Sequence, residues 1–208
     1  LLFGRGGTGG IINRVTKKAV LDDQFGSFDM GADTFGAFDF AVDYNVSTGE
    51  KSALRINFHS DTLENHRDFY DGDRYGFNPT LRLEISPETT LDLSYEHADH
   101  ERFIDRGVPT LNGEPVEAFE EIVFGDTDTN LQTLRADIYR ANLSHEFSET
   151  RKGNLVVQYS DFQKLYKNYY ASGYSGGDTF TADGYLDPTE RNNLIISGNI
   201  VNEFQTGS

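Results

Sequence analysis

Cysteine and tryptophan are absent from the 208 residues, methionine occurs once and proline five times. Without cysteine no disulfide can form, so bridges say nothing about redox compartment. There is no apolar run near the ~18 residues a membrane helix needs. Positive charge is scarce: 18 Lys and Arg against 34 Asp and Glu leave a formal charge of −16. No basic stripe is present to displace counterions from phosphates, which argues against a duplex nucleic-acid partner. A signal peptide and a start methionine are also missing. The chain begins mid-phrase at Leu1 and stops at Gly207-Ser208, as expected of a segment of something longer. Its length suits one domain or a piece of one. A mean hydropathy of −0.55 suggests solubility, yet 13% aromatic residues beside 21 glycines are unusual for a soluble α/β domain.

Glycine is concentrated at the start, LLFGRGGTGGIINRVTKKA, where Gly4, Gly6 and Gly9 match the G-x-G-x-x-G spacing. That spacing cradles a pyrophosphate only between a strand and a helix N-terminus. Here it leads into the β-branched, extended-favouring Ile11, Ile12, Val15 and Thr16, with no amphipathic helical stripe. Nor does a P-loop Lys-Ser or Lys-Thr pair follow. The glycines therefore read as structural turns.

Beyond residue 20 the dominant signal is alternation with period two. Phe38, Phe40, Val42, Tyr44 and Val46 oppose Asp39, Ala41, Asp43 and Asn45. Leu54, Ile56 and Phe58 form a similar face, as do Leu81, Leu83 and Ile85, and Leu91, Leu93 and Tyr95. The pattern continues over 139–147 and 194–204, with His145 and Asn202 as interruptions. It is weaker over 155–165, where Val156 and Phe162 fall on the polar face and Asp161 on the apolar one. With a first strand around 24–33 this predicts about eight strands in an all-β meander.

Short polar turns are expected at 47–52, 86–90 and 149–153, and long connections at roughly 63–75, 103–134 and 166–192. Thr34-Phe35-Gly36 is a tight link on the long-loop side. Short turns on one rim and long loops on the other suit a transmembrane barrel with lipid-facing apolar side chains and a wet lumen. Phe28, Tyr44, Tyr95, Phe147 and Phe204 suit its interfacial aromatics. The alternative is a soluble sandwich or barrel whose apolar faces pack together, such as a surface domain binding carbohydrate through tyrosine-rich loops.

LFGRGGTGGIINRVTKKA resembles the end of the plug domain of TonB-dependent outer-membrane receptors. YGFNPTLRLEISPETTLDLSYEH (75–97) resembles a hairpin of ferric-siderophore receptors. DRGVPTLNGEP (105–115) and FGDTDTN (124–130) resemble an outer loop of the ferrichrome and catecholate branch. The resemblance spans essentially the whole chain, without a TonB box or the earlier plug strands. It implies an all-β, antiparallel up-and-down transmembrane barrel, about eight strands of a larger one, with a remnant of the plug. Residues 1–20 would end the plug and 21–208 begin the barrel. The implied function is TonB-driven import of a ferric siderophore across the outer membrane of a Gram-negative bacterium. Such a transporter is not an enzyme and has no catalytic group. Iron would arrive inside its chelator, so no cofactor or protein iron ligand is implied. Expected partners are the siderophore, TonB through a plug segment absent here, and outer-membrane lipid or lipopolysaccharide, but no nucleic acid. The same architecture could import cobalamin, a sugar or another metal chelate.

Within that expectation Gly4, Gly6, Gly9 and Gly10 make the plug turns and Phe3 occupies an aromatic position near the plug apex. Arg102, Asp105 and Arg106 open a long outer loop, where arginine suits an anionic ferric catecholate. Tyr169, Tyr170 and Tyr174, with Tyr166, climb the next outer loop as rotamer-poor recognition side chains. Each set has a plainer reading: plug packing, solvated charges, or an interfacial girdle. Arg5 and Arg14 are expected to pair with lumen carboxylates such as Asp39, Asp43 or Glu84. Asp126, Asp128 and Asn130 have the first spacings of a calcium loop, but Leu131 stands where glycine is needed. His97 and His100, three apart on an extended segment, should face opposite ways.

Overall fold

A computed structural model describes residues 14–67 and 69–204. The plug-turn glycines Gly4, Gly6, Gly9 and Gly10, with Phe3 and Arg5, lie outside the described residues. Eight strands form one sheet: β1 (Phe25–Ala32), β2 (Phe38–Gly49), β3 (Ser52–Glu64), β4 (Asp71–Ser86), β5 (Thr89–Phe103), β8 (Leu131–Ser148), β9 (Arg151–Gly173) and β10 (Thr181–Asn202). Two short strands, β6 (Thr110–Leu111) and β7 (Glu114–Pro115), make a separate hairpin. In the large sheet each strand pairs antiparallel with the one before it, in the order β1-β2-β3-β4-β5-β8-β9-β10.

The expected rims are present. Tight turns join β2 to β3, β4 to β5 and β8 to β9, and the β1–β2 link turns through Gly36 at φ +106°. In the β6–β7 hairpin both Asn112 (φ 54°) and Gly113 (φ 87°) are left-handed, the conformation a two-residue type I′ turn requires.

The connection expected over 166–192 is a correction. β9 continues to Gly173 and β10 begins at Thr181, so the hairpin simply extends, paired in register from Tyr166–Asp187 to Tyr170–Asp183. Likewise β4 already starts at Asp71 and β8 at Leu131. Backbone pairing persists there although the outward residues turn polar, because ladder hydrogen bonds do not depend on an apolar face.

The sheet has no hydrophobic core on the face where one was possible. Among the described residues the buried hydrophobics are Ala19, Ala53, Phe103, Ile104, Phe124 and Ala136, three of them alanines. Leu93 is 36% exposed and Ile196 66%, and Phe40 and Leu83 are only half-buried. A soluble sandwich would have packed these side chains together. Instead the sheet curls: one cavity of about 700 Å³ is lined by Asp39 and Ala41 of β2 and by Phe162 of β9.

Candidate functional site

The inner face is defined by what lies against it. Residues 14–20 run across four adjacent strands, held through both side chains and backbone. Arg14 pairs with Glu96 of β5 at 2.5 Å, Lys17 with Asp43 of β2 at 2.7 Å and Lys18 with Asp92 of β5 at 2.8 Å. Thr80 of β4 donates to the Lys17 carbonyl and Arg55 of β3 to the Lys18 carbonyl. Asn45 of β2, fully buried, accepts from the Val20 amide and donates to the carbonyls of Val20 and Asp23. Ala19 between them is fully buried.

Two of the carboxylates are shared. Asp43 also receives two guanidinium bonds from Arg55, and Asp92 two from Arg82. Each therefore stands between a wall arginine and a segment lysine, so both its oxygens are bonded. The two-bond contact from the wall arginine fixes the orientation of the carboxylate that the lysine meets. The expectation for Arg14 is thus right in kind and corrected in partner: Arg14 takes Glu96, Asp43 serves Lys17, and Glu84 pairs with Lys51 at a turn.

The opposite face carries an apolar band. The lateral row Tyr95–Tyr139–Tyr159–Leu194 crosses β5 to β10, with the Tyr95 and Tyr139 rings stacked at 4.9 Å. Below it lies Leu93–Ala141–Val157–Ile196, and above it the outward residues are His97, Asp137, Asp161 and Asn192. The band does not follow the hydrogen-bonded rows. The row starting at Phe38, the top of the band on β2, passes Thr62, Asp73, Glu101, Thr133 and Leu165 to reach Pro188. On β10 the band tops out at Leu194, six positions lower after six strand steps. One residue per step, at ~3.4 Å rise and ~4.8 Å spacing, means strands tilted by about 35° to the normal of the band. A lipid-facing barrel wall has roughly this tilt, about 35–45°.

Above the band the connection between β5 and β8, residues 104–130, is built on two polar anchors. Arg67, buried in the β3–β4 connection, lies 2.5 Å from Asp105 in an ion pair, donates to the carbonyls of Glu120 and Ile122, and stacks over Phe69. Asn130, 3% exposed, donates to the carbonyls of Ile104 and Tyr169 and accepts from the Tyr169 amide. Phe119 and Phe124, tilted against each other, then pack edge-on against Tyr174 and Phe180 of the β9–β10 tip, around a 260 Å³ cavity.

Of the predicted site residues, Arg106 lies 4.5 Å from the Tyr170 ring centroid, and Tyr170 shares the inward parity of Asp183, which its hydroxyl approaches at 3.5 Å. Arg102 donates to Gln132 at 2.9 Å. Asp105 is engaged by Arg67 and the Gly107 amide. Tyr169 has outward parity, and the Tyr174 hydroxyl donates to the Gly177 carbonyl. The structure thus brings Arg106 and Tyr170 together and leaves Tyr169 on the other face. Lys164 reaches Asp187 at 2.6 Å; on this part of the hairpin, beyond the band, that hydrogen bond holds the Asp187 carboxyl below its usual range. Arg67 and Asn45 were not anticipated, and Asn130 was considered only as a calcium-loop position; burial identifies all three. His97 and His100 do face opposite ways, His97 outward against Asp137 at 2.8 Å and His100 across from Arg74 on the inner side. Asn130 acts as a backbone clamp, and Asp126 accepts from the Asp128 amide.

A sheet with one wet face gripping a segment of its own chain and one slanted apolar belt is a piece of wall from an outer-membrane β-barrel. No family model matches the chain. It is 27% identical over 187 residues to the metal-pseudopaline receptor CntO of Pseudomonas aeruginosa, which covers 88% of this chain and 25% of that protein. It is 36% identical over 108 residues to the probable TonB-dependent receptor BfrD of Bordetella pertussis, covering 51% of this chain and 14% of the relative. Its fold matches the ferric-catecholate import receptor Fiu from E. coli K12 with a TM-score of 0.85 at 17% identity, over 98% of this chain and 32% of Fiu. The chain therefore spans about a quarter of the length of the curated receptor CntO. The chain is thus similar to a stretch of TonB-dependent outer-membrane receptors, and its apolar belt suits a barrel wall in the outer membrane of a Gram-negative bacterium.

Proposed function

We propose that the whole receptor imports a metal chelate, most simply a ferric siderophore, across the outer membrane, driven by TonB. In this reading residues 1–20 end the plug, and residues 21–208 supply the first barrel strands. The observation that carries it is the grip of the inner wall on residues 14–20. A segment fixed by ion pairs to β2 and β5 and by backbone bonds to β2, β3 and β4 is how a stopper's end would be joined to its barrel. The likeness to CntO, whose name states a metal-pseudopaline ligand, and to Fiu, a ferric-catecholate importer, supports a chelated metal as cargo.

The cargo would meet the rim above the belt. Arg106 backed by Tyr170, with Arg102 on the same strand-and-loop junction, offers cations and a ring face to an anionic chelate. Tyr174 and Phe3 would add aromatic contacts. Asp105 would act by holding the loop, and Tyr169 by packing at its outer edge. Protein iron ligands are not needed, because the chelator supplies them. Outer-membrane lipid, with lipopolysaccharide, would cover the belt.

The test is uptake of radiolabelled iron by cells whose only such receptor is the full-length protein, with and without TonB. Uptake of a ferric siderophore that disappears without TonB is the expected result. Transport of cobalamin or a sugar, with no uptake of any metal chelate, would overturn it. The CntO likeness favours a second reading in which the chelated metal is not iron, and the same assay with labelled zinc, nickel or cobalt chelates decides between them.

A further inference from the structure

Arg140 differs from the cations around it on the inner wall. Arg14, Lys18, Arg55 and Arg82 each have a carboxylate partner. Arg140, on β8, has inward parity beside Ser94 of β5 and Gln158 of β9. Its Nε and one terminal nitrogen both donate to a single neutral oxygen, Gln158 Oε1, at 2.9 and 2.6 Å. Among the described residues it makes no ion pair.

The surroundings make this costly to leave so. Arg140 lines a cavity of about 320 Å³ between residues 14–18 and the wall, together with the cations Arg14 and Lys18. The single carboxylate in that lining is Asp92, whose two oxygens already serve Lys18 and Arg82. Glu96 is taken by Arg14. In a chain with a formal charge of −16, this cavity is locally cationic. A guanidinium has five N–H donors, and here a neutral acceptor uses two of its nitrogens. A partly enclosed arginine facing other cations favours an anion strongly.

We infer that Arg140 is the wall half of an ion pair whose other half is a carboxylate of the plug, contributed by polypeptide preceding Leu1. Residues 1–13, LLFGRGGTGGIIN, contain no Asp or Glu, so the partner cannot come from them. The cavity is continuous with the seat of residues 14–18, so the occupant arrives along the same surface that the segment already uses. An Asp or Glu there would bond the guanidinium in the manner of Asp43 on Arg55. The inference rests on the reading of residues 1–20 as the end of a plug.

The test uses the full-length receptor carrying Arg140→Lys, treated in membranes with a carbodiimide, which joins an amine to a contacting carboxylate as an amide. The expected product is a cross-linked peptide between residue 140 and an Asp or Glu upstream of Leu1, absent in Arg140→Gln. The Lys164–Asp187 and Lys18–Asp92 pairs are internal controls for folding and for the seating of the segment. If both controls cross-link while residue 140 joins only Asp92 or Glu96, or nothing, the inference is wrong and the plug reading stands. If Lys18–Asp92 fails while Lys164–Asp187 succeeds, the seating of residues 14–20 is wrong, and the inference falls with it. Charge reversal at Arg140→Glu gives a second readout: about tenfold or greater faster entry of a bulky antibiotic is expected as the plug loosens, and unchanged permeability counts against the pair.

Discussion

The two faces of one sheet use the same strands in opposite ways. Outward, between Thr89 and Tyr95 of β5, stability comes from contact with hydrocarbon and tolerates almost no charge. Inward, one residue along, Asp92 and Glu96 are charged and are met by the segment's lysine and arginine. The lesson is that charge is costly or useful here according to parity alone. A one-residue register slip would exchange the two environments for a whole strand. The ladders are accordingly long, with register shifts only at strand ends beside the turns.

That contrast can be broken most severely at Leu93. Leu93→Arg puts a charge on the belt, and a cation near the bilayer midplane costs a lipid-facing barrel about 2–4 kcal/mol. Ser94→Glu, its inward neighbour, places its charge beside Arg140 and should cost far less. Denaturant unfolding of the full receptor in vesicles measures both, and equal losses would contradict the assignment of faces.

Next in size is Arg67→Ala. It strands Asp105 and two carbonyls under the 104–130 connection, and removing one partner of a buried ion pair typically costs about 3 kcal/mol. The expected result is rapid proteolysis within residues 104–130 with barrel assembly intact. A loop as resistant as before would show that the aromatic cluster alone holds it.

Asn45→Ala removes three hydrogen bonds to Val20 and Asp23 and leaves buried backbone groups unanswered, about 1–3 kcal/mol. Hydrogen exchange at residues 19–23 should speed up while that of β8 and β9 does not change. The variant Asn45→Asp keeps an acceptor but has no amide donor, so it should retain only the bond from the Val20 amide.

The smallest effect belongs to Lys164–Asp187 on the water-exposed hairpin. The folded Asp187 carboxyl lies below the ordinary 3.8, so its contribution is fully present above that value and is lost as pH falls through the lowered one. Both side chains are 36% exposed, enough for solvent to screen the pair and keep it weak. Lys164→Met should therefore reduce the protease resistance of the hairpin slightly at pH 7 and not at all in strong acid.

Period two in the sequence located the eight strands and both faces, including the misfits: Val156 and Phe162 are inward and Asp161 outward, as their positions demand. What the alternation missed is strand length. The first two outward residues above Tyr159 on β9 are Asp161 and Gln163, and above Leu194 on β10 they are Asn192 and Glu190. Once a strand leaves hydrocarbon its outer face becomes polar, so an extended hairpin has the composition of a loop. The site was legible in sign only. Arg14 was expected to meet a lumen carboxylate, but which one depends on how four strands curl beneath it, and Lys17 and Lys18 were not singled out. Arg67, Asn45 and Asn130 are single polar residues whose importance comes from burial, and burial here is made by parts of the chain distant in sequence.

The central claim is that odd-numbered residues of β5 face lipid and even-numbered ones face the lumen. Spin labels on cysteines placed singly from Leu91 to Glu96 in the full receptor, in vesicles, test it by collision with oxygen and with a water-soluble nickel chelate. Oxygen accessibility should peak at 91, 93 and 95, and nickel or immobilised spectra should mark 92, 94 and 96. Uniform accessibility along the strand, or the opposite phase, would contradict the account.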